Sequence, residues 1–189
     1  MLETLEKKLS CLEEIIRGYG SVALAFSGGK DSSLLLKICI DVLGRDSVLA
    51  VTAVSPIRRP EELQTARDLA RSLNARHALV HMREYKNPEF IESANRRCFI
   101  CKEELFGEME RLAEEGVYAH LVDGTNLDDA EERRPTFAVA RKYGVRWPLV
   151  DADIGASDVE ALLRRLGLGG LVRPHYSCSA WDIDLRNLA

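Results

Sequence analysis

No apolar run in this chain approaches the ~18 residues that a membrane-crossing helix requires. The opening Met1-Leu2-Glu3-Thr4-Leu5-Glu6-Lys7-Lys8 lacks the apolar h-region of a signal peptide. Both absences point to a cytoplasmic protein without a membrane partner. There is no basic excess either: 26 Lys and Arg stand against 30 Asp and Glu, a formal net charge of −4. A protein that wraps a nucleic-acid backbone ordinarily carries the opposite sign. A small molecule therefore ranks ahead of tRNA as partner, and the pairs Arg58-Arg59, Arg96-Arg97, Arg133-Arg134 and Arg164-Arg165 read as solvated faces or loops. No even set of cysteines is present. The five (Cys11, Cys39, Cys98, Cys101 and Cys178) argue against a disulfide framework. Internal repeats and low-complexity tracts are missing too.

What remains is an ordinary globular composition, 46% apolar and 30% charged over 189 residues, enough for one sizeable core. We read a single domain over 1–189, with an irregular tail from Arg173 that carries Cys178. Apolar residues at helical spacing over 2–17 predict a first helix, closed by Gly18 and Gly20. Continuous apolar runs at 21–26, 47–54, 77–81 and 119–123 predict buried parallel strands. Helices are expected over 32–43, 61–73, 102–115, 136–143 and 157–166, the last with Ser157 as N-cap. A further short strand is expected over 145–149. Cys98 to Cys101 would then lie just ahead of a helix. Cys11 and Cys39, on helix faces, are expected in the core. The alternation of strand and helix predicts an α/β fold, a doubly wound parallel sheet with helices on both faces and its site at the carboxyl ends of the strands.

The strongest chemical signal is the turn leaving the first strand: Ser27, Gly28, Gly29, Lys30, Asp31, Ser32. Both glycines suit a positive φ and a close backbone approach. The helix that follows presents free N–H groups and its dipole to the turn, which favours an anion. Ser27, Ser32 and Ser33 add hydroxyl donors and Lys30 a positive charge. Asp31 makes sense if it holds a Mg²⁺ ion that bridges phosphates. Neither the Gly-x-x-x-x-Gly-Lys-Ser/Thr loop nor the Gly-x-Gly-x-x-Gly fingerprint is present.

Ser27 to Ser32 resembles the Ser-Gly-Gly-x-Asp-Ser signature of the PP-loop (N-type) ATP pyrophosphatases, a superfamily that includes GMP synthetase, NAD synthetase and tRNA-thiolating enzymes. Within it the segments 50–56, 97–102, 123–129, 134–135 and 144–149 resemble the LarE-type ATP-dependent sacrificial sulfur transferases, from about residue 17 to residue 178. The resemblance implies that the loop holds the β,γ-phosphates of ATP with Mg²⁺, and that attack at the α-phosphorus releases pyrophosphate and adenylates a small carboxylate. Thr52 and Ser55, at the end of the second strand, would lie near the adenosine. A homo-oligomer or a partner chain is implied as well, because the family continues into a further domain.

Cys98-x-x-Cys101 taken alone suits half a zinc site, a redox pair or two iron–sulfur ligands. No second C-x-x-C exists, which disfavours a four-cysteine zinc site. The resemblance makes Cys178 the third partner. It implies either a sacrificial Cys178 or a [4Fe-4S] cluster on Cys98, Cys101 and Cys178, and we favour the cluster. Asp123 and Gly124 leave the fourth strand where such a sheet puts its site. Asp128 and Asp129 could hold Mg²⁺ or substrate, or serve turn chemistry instead. Arg134 and Arg146 could fork onto a carboxylate or phosphate. His77, His81 and His120 are expected to be structural, and Trp147 to pack.

Overall fold

A computed structural model describes residues 2–131 and 136–170. The calls made above for Arg134 and Cys178 lie outside the described residues. Four parallel strands form one sheet: β1 (Val22–Ala25), β2 (Val48–Val54), β3 (Arg76–His81) and β4 (His120–Asp123), in the spatial order β3-β2-β1-β4. Leu24 pairs with Ala50 on one side and with Val122 on the other. The chain steps from β1 to β2 in one direction and reaches β4 in the other, so the strand order reverses between β1 and β4. The crevice of a doubly wound sheet opens between them.

The helices cover both faces. Val22, Leu24 and Phe26 point to the face covered by α1 (Leu2–Tyr19), α2 (Lys30–Leu43), α3 (Pro60–Ser72) and α9 (Ala156–Arg165), where Leu12, Ile16, Leu34, Leu35, Ala66 and Leu162 complete a core. The alternate residues Ala23, Ala25, Val51 and Ala53 point to the other face. Small side chains there let α5 (Arg97–Gly116) bring Phe106 and Met109 down onto the sheet, beside Val139 and Ala140 of α7 (Thr136–Lys142). This period-two split is what a sheet buried on both faces imposes on its strands.

Short helices fill the connections: α4 (Pro88–Glu92), α6 (Leu127–Glu131) and α8 (Pro148–Asp151). The strand expected over 145–149 is reduced to a single parallel bridge, Val122 to Arg146. Pro148 has no N–H to donate to a ladder and starts α8 at N1 instead. Ser157 is not the N-cap of α9. Gly155 holds that position, and its amide donates to Asp158 Oδ2 at 3.2 Å. Cys39 is buried as expected, whereas Cys11 is exposed on α1. No helix among the described residues is long and apolar enough to cross a membrane.

Candidate functional site

The turn from β1 into α2 is laced by its own hydroxyls. Ser27 Oγ accepts the Gly29 amide at 3.2 Å. Ser32 Oγ donates to the Gly29 carbonyl at 3.2 Å and accepts the Ser27 amide at 3.3 Å. These two serines shape the loop rather than standing free toward a ligand, and Ser33 is fully buried. Of the two glycines only Gly28 is left-handed, with φ 77°; Gly29 is extended at φ −75°. A Cβ on Gly28 would stand 3.0 Å from the Ala66 backbone, so α3 closes on the turn. No side chain caps α2. The first amides of that helix therefore lack both an intrahelical acceptor and a capping oxygen, which makes its N-terminus a ready anion site.

The loop after β4 closes the other wall. A Cβ on Gly124 would lie 2.8 Å from the Ser32 amide nitrogen and 3.0 Å from Ser32 Cα, so the two backbones touch at a position that admits only glycine. Asn126 Nδ2 donates to Asp31 Oδ1 at 2.9 Å, aiming that carboxylate across the crevice. Asp123 is buried and paired with Lys102 Nζ at 2.9 Å, while its Oδ1 accepts the Thr125 amide at 2.9 Å and the Thr125 hydroxyl at 2.6 Å. Burial alone would raise the Asp123 carboxyl. The charge and hydrogen bond of Lys102 and the two Thr125 donors outweigh that and hold it below the usual carboxylate value.

Cys98 and Cys101 sit inside the first turn and a half of α5, not ahead of it, because the helix begins at Arg97. Spaced by three residues, they share a helix face. Arg58, in the loop after β2, brings Nη2 to 3.9 Å from Cys101 Sγ. Lys102 continues the same turn to Asp123, so α5 links the thiols to the crevice beside β4.

Other expected residues have different neighbours. Lys30 reaches Glu160 on α9 beside a cavity of about 540 Å³ that Arg164 also lines. Thr52 is buried; its hydroxyl donates to the Phe26 carbonyl at 2.6 Å and lies 2.8 Å from His77 Nε2, so the ring nitrogen must be the donor there. Ser55 is buried, and its Oγ accepts the Ile57 amide at 3.3 Å. Asp128 Oδ2 accepts the Ala156 amide at 2.6 Å, where α9 starts. Asp129 exchanges bonds with Asn126, accepting its amide at 3.4 Å and donating its own amide to Oδ1 at 3.0 Å. Both carboxylates thus do turn and cap work. Arg146 is exposed beside β4, and its charge acts on Tyr19, which precedes β1 and packs against His120 at the start of β4.

Sequence reasoning did not single out Lys102, Asn126 or Arg58 as site residues. Lys102 and Asn126 stand beside residues that it did single out, Cys101 and Gly124. Nothing local to Arg58 announces its contact with a thiol 43 residues away.

The profile of the family described as NAD synthase matches residues 4–103, and the chain belongs to that family. An uncharacterized protein of Synechocystis is 37% identical over 174 residues, covering 92% of this chain and 65% of its own length. The pyridinium-3,5-bisthiocarboxylic acid mononucleotide synthase of Lactiplantibacillus plantarum is 32% identical over 167 residues, covering 88% of this chain and 60% of its own. The chain thus spans about three fifths of the length of these curated relatives. Among solved structures, the U34-tRNA thiolase NcsA from Methanococcus maripaludis with its [4Fe-4S] cluster superposes with TM-score 0.67 at 20% identity, over 98% of this chain and 71% of that one. At that identity it speaks for the fold alone.

Proposed function

We propose that this chain binds ATP at the uncapped N-terminus of α2, transfers AMP to a small carboxylate with a nucleotide-like body, and directs sulfur onto the activated carbon. The observation that carries this reading is the crevice itself: free first-turn amides of α2, walled by Gly124 and faced by Asp31. A carboxylate oxygen of the acceptor attacks the α-phosphorus, pyrophosphate leaves, and an acyl adenylate results. The chain's contribution is orientation and neutralisation of the leaving charge by the α2 amides. Asp31 offers one oxygen to Asn126 and would hold Mg²⁺ with the other, an ion that would supply positive charge against the phosphates. A sulfur nucleophile then displaces AMP from the acyl carbon.

Two thiols on one face of a helical turn suit two corners of an iron–sulfur cluster, with Cys178 as the third ligand. Such a cluster, when bound, supplies an open iron able to carry an exogenous sulfur. Support for sulfur chemistry comes from the L. plantarum relative, whose name denotes a bisthiocarboxylic acid synthase.

The deciding experiment is pyrophosphate release from ATP in the presence of candidate acceptors. Asp31→Ala should lower it by about a hundredfold, the scale of losing one transition-state stabiliser. A folded Asp31→Ala protein with full release sinks the loop assignment. A second reading, ATP-driven amidation, draws on the family described as NAD synthase. It predicts that Cys98→Ser and Cys101→Ser variants stay fully active, whereas sulfur transfer predicts that they fail. A tRNA thiolase would instead show binding that falls steeply with salt, against which the net charge of −4 counts.

A further inference from the structure

His77 takes no part in the chemistry proposed above, yet it reaches the root of the turn from β1 into α2. One peptide joins β1 to that turn, the one between Phe26 and Ser27, and side chains hold both of its ends. Its carbonyl accepts the Thr52 hydroxyl at 2.6 Å, and its amide donates to Ser32 Oγ at 3.3 Å. The Phe26 amide, one step back, still belongs to the sheet and donates to the Val51 carbonyl at 2.8 Å. The backbone therefore leaves the sheet at this one peptide plane. The tilt of the plane sets where Ser27 stands, and Ser27 Oγ in turn accepts the Gly29 amide at 3.2 Å.

Thr52 has a single hydroxyl proton, and that proton goes to Phe26. Its lone pairs are left to accept, and the donor is His77 Nε2, 2.8 Å away. His77 lies on β3, the outer strand, where it pairs with Ala50; Thr52 is two residues further along β2 and so on the same face. The His77 ring also meets the Phe26 ring edge to face, with centroids 5.8 Å apart and planes at 79°. Phe26 is 2% exposed and Thr52 4%, so water has little room to replace these partners. A hydroxyl that accepts from an N–H becomes a stronger donor. Without that N–H it is free to turn.

We propose that His77 is a positioning residue for the turn from β1 into α2: by donating to Thr52 it fixes the hydroxyl on the Phe26 carbonyl, and so holds the peptide from which Ser27, Gly28 and Gly29 depart. A histidine on the outer strand thus acts two strands away, on backbone at the mouth of the crevice, without touching a ligand. The inference rests on the reading of this turn as the ATP grip, but its first test requires no ligand.

That test is residue-resolved amide hydrogen exchange of the full chain under native conditions, where rates report local opening. The Ser27 amide reads the held peptide, and the Met109 amide, inside α5 on the other face of the sheet, is the reference. His77→Leu should raise the Ser27:Met109 rate ratio by about fivefold, the equivalent of one hydrogen bond of about 1 kcal/mol. Thr52→Val should raise it at least as much, and the double variant no further than Thr52→Val alone. His77→Gln, whose side-chain amide can still donate to Thr52, should keep the wild-type ratio. An unchanged ratio in folded His77→Leu, a raised ratio in His77→Gln, or additive effects in the double variant overturn the proposal. If His77→Leu does not fold, Thr52→Val and His77→Gln decide it: a raised ratio in the first and a wild-type ratio in the second support the link, and any other pair refutes it. Magnesium pyrophosphate is then titrated into each chain by calorimetry. Binding weakened about fivefold by His77→Leu and restored in His77→Gln ties the link to the grip; equal affinity in all three chains refutes that tie. No binding by the wild type would overturn the proposed function and leave the exchange ratios to decide the role of His77.

Discussion

Replacing Lys102 with methionine tests the electrostatic joint between α5 and β4. The substitution keeps the length of the stem but removes the ammonium, which lies 4.9 Å from the centre of the Phe106 ring. It removes the only cation paired with Asp123 among the described residues. Breaking a fully buried pair by deleting one partner costs about 3–5 kcal/mol. Here the Lys102 side chain is 34% exposed while that of Asp123 is only 7% exposed. Part of the interaction is therefore screened by solvent, and about 2–3 kcal/mol is the expectation. Urea denaturation should show a lower midpoint with an unchanged slope. The pH dependence carries the sharper test. In the wild type the Asp123 carboxyl sits below its ordinary 3.8, so its stabilisation is complete above that value and lost only as pH falls through the lower folded value. Without Lys102, burial dominates and the folded value rises above 3.8. The variant then loses most at neutral pH and recovers as pH falls toward about 4 and the carboxyl protonates. A loss that is constant across that window, or no loss, would refute the electrostatic account. Lys102→Met with Asp123→Asn should be less destabilising than the two single changes summed.

The remaining expectations follow from close approaches and burial. Gly124→Ala should cost about 1–3 kcal/mol in thermal or urea melts and abolish pyrophosphate release, because the new methyl meets the backbone of Ser32 rather than a movable side chain. Gly28→Ala should be as damaging, since a left-handed φ adds to contact with the Ala66 backbone; a folded, active Gly28→Ala enzyme contradicts the loop geometry. Glu84, raised above its ordinary 4.5 by burial, should make stability decline as pH rises past that value, because the folded state holds the proton more tightly than the unfolded chain. Glu84→Gln should flatten this decline in urea titrations at successive pH values.

Much of the fold was legible because its signals are local. The strand–turn–helix over residues 21–43 combines an apolar run, paired glycines and a helical period within two dozen residues. The period-two split of Val22 to Ala25 between two faces follows from strand geometry alone. The site was legible only as far as each residue's surroundings are set by its own segment. Asp31 and Gly124 could be singled out because a doubly wound sheet carries the ends of its strands to one edge. Asp128 could not be recognised as a cap for α9, since Ala156 is 28 residues away and only tertiary packing joins them. Arg146 shares a strand-like segment with a family motif, yet its charge acts on Tyr19, ahead of β1 at the amino ends of the strands. The C-x-x-C pair was expected before a helix and lies within one, because nothing between Ala94 and Arg97 halts helical continuation: the 3-10 turn Ala94–Arg96 runs straight into α5.

The two kinds of chemistry are anchored differently. The crevice proposed for phosphate is made of main chain where β1 and β4 end side by side, and Gly28 and Gly124 are dictated by neighbouring backbone. The thiols ride on the opening turn of α5, tied to that crevice by one lysine and to β2 by one arginine. Exchange of Cys98 and Cys101 would leave the main-chain crevice between β1 and β4 in place. On the proposed function, a single scaffold would in this way serve acceptors of different chemistry by altering a handful of positions at one helix end.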